Sequence, residues 1–260
     1  GMGCMGFSHG YGQVPGAGYA EEAIREAFGY GCNFFDTAEG YGKELYYPGH
    51  NEEIVGRAVR GFRNEVVIAT KLHIRPEAVE DCGSVYAAVR RHLERSLKNL
   101  QIDYVDLYYL HRINMKVDNL EVAHAMGRLI QEGLVREWGI STVDKAQLEA
   151  AHAVTPVGAV QNIYSMVERT SEKDVIPFCV GNGIAFVPFS PVASGLLSGK
   201  ITPAICPLSK CSGVLPQKSR RLQRRSLWLG CSVNIRMSCP FPARRTKSAS
   251  WRICGRAKCN

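Results

Sequence analysis

Along residues 1–200, short apolar runs alternate with longer segments in which apolar residues recur every three or four positions. The short runs are Asn33–Ala38 (NFFDTA), Val66–Lys71 (VVIATK), Tyr104–His111 (YVDLYYLH), Glu137–Thr142 (EWGIST), Gly158–Ser165 (GAVQNIYS) and Gly183–Pro191 (GIAFVPFSP). They are rich in β-branched and aromatic residues, as strands buried on both faces are. Between them, Tyr19–Tyr30 places Ala23, Ile24, Ala27 and Phe28 on one helical face, and Ser84–Leu100 does the same with Val85, Val89, Leu93, Ser96 and Leu97. Asn119–Glu132 and Asp144–Ala153 follow the same pattern. Repeated βα units predict a parallel sheet with helices outside it. Six runs, with room for one more strand before Tyr19, make seven in sequence. That count favours an α/β, (β/α)8 TIM barrel over an open sheet, incomplete because one strand is missing.

Composition divides the chain at the same place. Of 260 residues, 201–260 hold 13 Lys and Arg and no Asp or Glu, although the whole chain carries a net charge of +8. Residues 1–200 therefore carry 19 basic against 24 acidic residues and are mildly acidic. Six of the ten cysteines, Cys206, Cys211, Cys231, Cys239, Cys254 and Cys259, also lie in the tail. The four scattered thiols before it fit a reducing, cytoplasmic setting. The tail cysteines lack paired C-x-x-C spacing, so no metal site is expected. The apolar runs are strand-sized and predict no membrane span, and no secretory leader is visible at the start. Two domains are expected: 1–200, an incomplete barrel, and 201–260, a basic, Cys-rich tail that is aberrant and without ordered structure. The charge imbalance belongs to the tail alone, so it does not predict a nucleic-acid partner for the body.

A barrel of this kind carries its chemistry at the C-terminal ends of its strands. There the sequence places Asp36, then Tyr41 in the loop DTAEGYG, Lys71 in VIATK and His111 in DLYYLH. Each residue alone has an ordinary structural explanation, but the four in this order at successive strand ends are specific. An ammonium near a phenol favours the phenolate and lowers the tyrosine pKa from its reference value of about 10. A carboxylate can hold that ammonium, and an imidazole can hydrogen-bond a carbonyl oxygen.

Residues 1–200 resemble the aldo-keto reductase family. The resemblance rests on NFFDTAEGYG, NEEIVGRAV, VVIATK, DYVDLYYLHR, GLVREWGIS, VQNIYS and PFSPVASGLLSGK, in that order. It implies reduction of an aldehyde or ketone to an alcohol with NADPH, NADH not being excluded, and a small carbonyl compound as substrate. It assigns Asp36, Tyr41, Lys71 and His111 as the catalytic tetrad, with Tyr41 as general acid. It also assigns Ser141 and Gln161 to the nicotinamide carboxamide, and Phe189 to stacking on the ring, where the family usually has Tyr. Thr142 stands where the family often has Asn, and its hydroxyl has a shorter reach. Ser190, Val192, Gly195 and Leu196 would continue along the pyrophosphate loop. Gly3, Cys4 and Met5 would end the first strand near the cofactor. Gly1–Gly6 (GMGCMG) also fits G-x-G-x-x-G, but that fingerprint needs a strand before it and a helix starting on it, and the first helical pattern begins only near Tyr19. Reductase-like regulatory subunits, such as the cytoplasmic β subunits of potassium channels, share the barrel and cofactor site and form one alternative; nucleic-acid binding through the basic tail forms another. The intact tetrad favours an enzyme.

A complete member would continue after Lys200 with a long loop, a helix, the eighth strand and a last helix. Residues 201–260 show none of this as written, but a shifted reading frame permits it. Arg225–Ser232 (RSLWLGCS) allows Gln-Ile-Ala-Leu-Ala-Trp-Leu-Leu, and Cys239–Lys247 (CPFPARRTK) allows Leu-Pro-Ile-Pro-Gly-Thr-Lys-Asp-Glu. Both resemble the ordinary C-terminal sequence of the family. The tail is therefore read as out of frame, with the shift after Lys200 and before Arg221. The chain is expected to be poorly folded and weakly active or inactive.

Overall fold

The computed structural model describes residues 1–9 and 14–199. The expectations for 201–260, including the missing eighth strand and last helix, lie outside the described residues. The chain divides into two compact units, Gly1–Val160 and Gln161–Asn260.

The first unit is built on a parallel sheet of β1 (Met2–Gly3), β2 (Phe34–Asp36), β3 (Val67–Leu72), β4 (Val105–Leu110) and β5 (Val135–Ser141), paired in chain order. Helices α1 (Ala17–Gly29), α2 (His50–Val59), α3 (Pro76–Cys82), α4 (Val85–Leu100), α5 (Asn119–Gln131) and α6 (Lys145–Val154) fall between the strands. All six predicted runs form strands within their expected ranges or one to two residues beyond them. The predicted helices α1, α4, α5 and α6 form as well. Met2 and Gly3 pair with Phe35 and Asp36, so GMGCMG is the end of a first strand and opens no α-helix, the first of which begins at Ala17.

Three helices escape the periodicity of the sequence. Helix α2 buries polar Asn51 and Glu52 beside Ile54 and Val55, which blurs its apolar stripe. Helix α3 buries no residue. Helix α7 (Val175–Gly181), in the second unit, is a seven-residue apolar run with no polar face to mark a period.

Alternation along the strands sorts their side chains into two layers. Thr70 Oγ1 donates to Glu52 of α2 at 2.6 Å, so Thr70 faces the helices. Trp138 Nε1 donates to Pro156 O at 2.9 Å behind β5 and faces the same way. Their neighbours Lys71 and Gly139 therefore face the opposite side of the sheet. There, Tyr109 of β4 lies against Gly139 so closely that an added Cβ would fall 2.5 Å from its ring. Only glycine fits that position. The core behind the sheet is apolar, with Ile24, Ile54, Ile68, Leu72, Val89, Leu93, Met126 and Leu129 at or near zero exposure. Burying a side chain of this size contributes roughly 1.5–3 kcal/mol.

Strand β6 (Ala159–Ile163) carries the chain from the first unit into the second. The described part of the second unit contains α7 and β7 (Ala185–Phe189). Asp174 caps α7 by accepting from the Val175 N–H at 2.6 Å. Tyr164 N–H donates to Phe189 O at 3.2 Å, and the Tyr164 and Phe186 rings meet edge-on at 5.9 Å. Among the described residues, no helix is long and apolar enough to cross a membrane.

Candidate active site

Three strand-end contacts in the first unit assemble the predicted tetrad. Thr37 N–H donates to Ala69 O at 2.8 Å, Glu39 N–H to Lys71 O at 3.2 Å, and His111 N–H to Leu72 O at 2.9 Å. These bonds continue the sheet register past the strand ends, so Asp36, Lys71 and His111 come side by side. The loop then turns at Ala38–Tyr41, where Tyr41 N–H donates to Ala38 O at 3.1 Å. Gly42 follows with φ +102°, a conformation that glycine adopts without strain, and returns the chain toward His50.

The Lys71 ammonium is fully buried. It donates to the Asp36 carboxylate and, at 2.7 Å, to Thr37 O. Its Nζ lies 5.3 Å from the centre of the Tyr41 ring. The Tyr41 and His111 rings meet edge-on with centroids 5.8 Å apart. One lysine thus bridges a carboxylate and a phenol, with an imidazole against the phenol.

The electrostatics of this cluster correct one expectation. Burial raises the Tyr41 pKa above its ordinary value, and Lys71 pulls it down without overcoming that effect. Tyr41 therefore keeps its proton at neutral pH. His111 moves the other way. Burial, followed by the positive charges of Lys71 and Arg112, lowers it to about 3, so the ring is neutral at physiological pH. A neutral imidazole still carries one N–H donor.

Several supporting residues were not singled out in the sequence. Glu39 accepts from the His73 backbone N–H at 2.7 Å, and its other oxygen lies 2.7 Å from His92 Nδ1 on α4. Asn51 accepts from Thr37 Oγ1 at 2.6 Å and donates to Cys4 O and Ser8 Oγ, both at 2.9 Å. Arg112 donates to His111 O at 2.6 Å and to Ser141 Oγ at 3.0 Å. The signal for Arg112 was its place beside His111 in LHR, where a charged loop residue reads as solvated.

The residues assigned to the cofactor lie as follows. Gly3 is in β1, and buried Cys4 donates its N–H to Asp36 O at 2.8 Å. Burial pushes the Cys4 thiol well above its ordinary pKa, so it is no thiolate. Met5 opens a short 3-10 turn. Ser141 ends β5 and is buried, whereas Thr142 follows it with φ +59°. In the second unit, Gln161 is buried in β6 and Phe189 ends β7. Ser190, Ala193, Ser194 and Gly195 all have positive φ, at 54°, 48°, 53° and 96°. Val192 and Leu196 are exposed at 38% and 37%. Backbone of mixed hand forms anion-binding concavities, and strained non-glycine residues cluster at functional segments. In the first unit the buried Ser141 hydroxyl can donate to a carboxamide oxygen, and in the second unit the backbone of residues 190–195 has donor chemistry of the kind a phosphate takes.

The model of the aldo/keto reductase family matches residues 1–212. The chain belongs to that family. Probable aldo-keto reductase 1 from Glycine max is 36% identical over 204 residues, which are 77% of this chain and 57% of that protein. The chain thus spans little more than half the length of that relative. An aldo-keto reductase from Bacillus halodurans in its holo form superposes with a TM-score of 0.70 at 28% identity, covering 88% of this chain and 76% of that one. An aldo-keto reductase from Klebsiella pneumoniae in complex with NADPH gives 0.60 at 31% identity, covering 69% and 59%. A thermostable aldo-keto reductase in complex with the inhibitor epalrestat gives 0.66 at 31%, covering 83% and 76%. The fold of this aldo/keto reductase chain matches an incomplete (β/α)8 barrel, with seven strands among the described residues.

Proposed function

We propose that this chain carries the active site of an NADPH-dependent reductase that converts a small aldehyde or ketone into an alcohol, with Tyr41 as general acid. The observation that carries this reading is the buried Lys71 held by Asp36 against the ring of Tyr41, with His111 edge-on to that ring. The Klebsiella pneumoniae neighbour solved with NADPH supports the cofactor.

When bound, the nicotinamide supplies a hydride to the carbonyl carbon. The chain's own residues manage the oxygen. His111, neutral at physiological pH, donates its N–H to the carbonyl oxygen and orients it. Tyr41, protonated at neutral pH, gives its proton to that oxygen as negative charge develops there. The ammonium of Lys71 then stabilises the phenolate left behind, and Asp36 holds that ammonium in place. Solvent returns the proton to Tyr41. By family resemblance, Ser141 and Gln161 hold the carboxamide and Phe189 offers its ring face. Ser190, Val192, Gly195 and Leu196 follow the pyrophosphate, and Gly3, Cys4 and Met5 lie near the nicotinamide. The shorter Thr142 side chain makes the weakest of these contacts.

The tail is given no binding role in this reading, and the setting is cytoplasmic. Tyr41→Phe removes only the proton. Carbonyl-dependent oxidation of NADPH should fall by about 100-fold or more, while NADPH binding, followed by fluorescence titration, stays unchanged. Undiminished turnover in Tyr41→Phe would overturn the assignment.

A further inference from the structure

We propose that Arg112 is a positioning residue that fixes the Ser141 hydroxyl as a hydrogen-bond donor toward the oxygen of the nicotinamide carboxamide. This deepens the proposed function and rests on it. A serine hydroxyl has one proton and two acceptor lone pairs, whereas a guanidinium has donors only. Because Arg112 donates to Ser141 Oγ at 3.0 Å, one lone pair of that oxygen is committed, and its proton cannot point at Arg112. Ser141 is 1% exposed, so bulk water does not compete for that proton.

The guanidinium is itself anchored by the same Nη1, which donates to the carbonyl of His111 at 2.6 Å. The ends of β4 and β5 are thereby tied together, and His111 of the tetrad shares an anchor with Ser141. Electrostatics agree with the geometry. Burial draws the Arg112 pKa below its ordinary value while Tyr41 raises it, which places the cation in the same enclosed cluster. A carboxamide offers one acceptor oxygen and one donor NH2. A hydroxyl fixed as donor selects the oxygen and thereby fixes which way round the carboxamide binds.

The test uses the full chain and the binding of NADP+ and of its acetylpyridine analogue, followed by tryptophan fluorescence. The analogue keeps the carbonyl oxygen but has no NH2. Arg112→Met and Ser141→Ala should each weaken NADP+ about tenfold, equivalent to about 1.4 kcal/mol. The double variant should bind no more weakly than either single one, because both act through one hydrogen bond. Arg112→Lys, which restores a cationic donor, should recover most of the loss. The analogue should lose the same factor as NADP+ in Arg112→Met. The proposal is overturned if Arg112→Met binds NADP+ like wild type, if the two losses multiply, or if the analogue does not sense the change. If Arg112→Met loses its melting transition, Arg112→Gln tests the same coupling to Ser141→Ala with a smaller perturbation. A wild-type chain that binds no NADP+ at all would instead overturn the functional reading itself.

Discussion

Thr142 concentrates a conflict between its backbone and its side chain. Its φ of +59° lies in the left-handed region, which β-branched residues rarely enter because Cβ crowds the neighbouring carbonyl. It directly follows Ser141, which the structure buries and bonds to Arg112. Asparagine tolerates this conformation and has a longer polar reach. Thr142→Asn should therefore stabilise the protein by about 1 kcal/mol and raise the melting temperature by about 2–4 °C. It should also tighten NADPH binding. A lower melting temperature in Thr142→Asn would show that the strain is compensated locally. The replacement of Asn by Thr was legible in the sequence. The strain was not, because φ is set by the turn that leaves β5. The pKa direction of Tyr41 was illegible for a related reason. Proximity to Lys71 could be inferred from spacing, but the stronger effect of burial comes from tertiary packing.

At the scale of elements, the strands were the legible part. They are buried on both faces, so apolar, β-branched runs mark them without any need for alternation. The clustering of Asp36, Tyr41, Lys71 and His111 was legible with them, because strand-end positions follow directly from strand boundaries. The loop that delivers Tyr41 stands out in the sequence as DTAEGYG, but what fastens it does not. Glu39 does this through side-chain bonds to residues 34 and 53 positions later, His73 N–H and the His92 ring. Sequence spacing gives no hint of such partners. Removing them should loosen Tyr41 relative to Lys71 without touching either residue. Glu39→Ala should cost about 1–3 kcal/mol of stability and lower turnover about tenfold, with NADPH affinity nearly unchanged. Glu39→Gln, which keeps an acceptor for the His73 N–H, should retain most of the turnover. The expected signature is a fall in kcat at constant cofactor affinity. Wild-type turnover in Glu39→Ala would show that Gly42 and the Asn51 contacts hold the loop without it.

The whole molecule joins two regimes of composition, and the divide bears on activity. Residues 1–200 are mildly acidic, whereas 201–260 carry 13 positive charges, no carboxylate and six cysteines. A basic arm would ordinarily be read as a nucleic-acid contact. The shifted frame accounts better for the same residues, because two separate stretches decode at compatible spacing into family-like sequence. A (β/α)8 barrel closes only when its last strand pairs with its first, and open strand edges favour association between chains. The nucleotide sequence across codons 198–225 should therefore show an insertion or deletion relative to a version that encodes Pro-Ile-Pro-Gly-Thr. Restoring the frame should produce a chain that melts at a higher temperature, aggregates less and reduces carbonyl substrates at least about tenfold faster. Deleting 201–260 from the present chain should leave its affinity for nucleic acid unchanged. If the present chain and the restored one melt and turn over alike, the tail is a genuine variant, and the cofactor site does not depend on the sequence that the shift would have replaced.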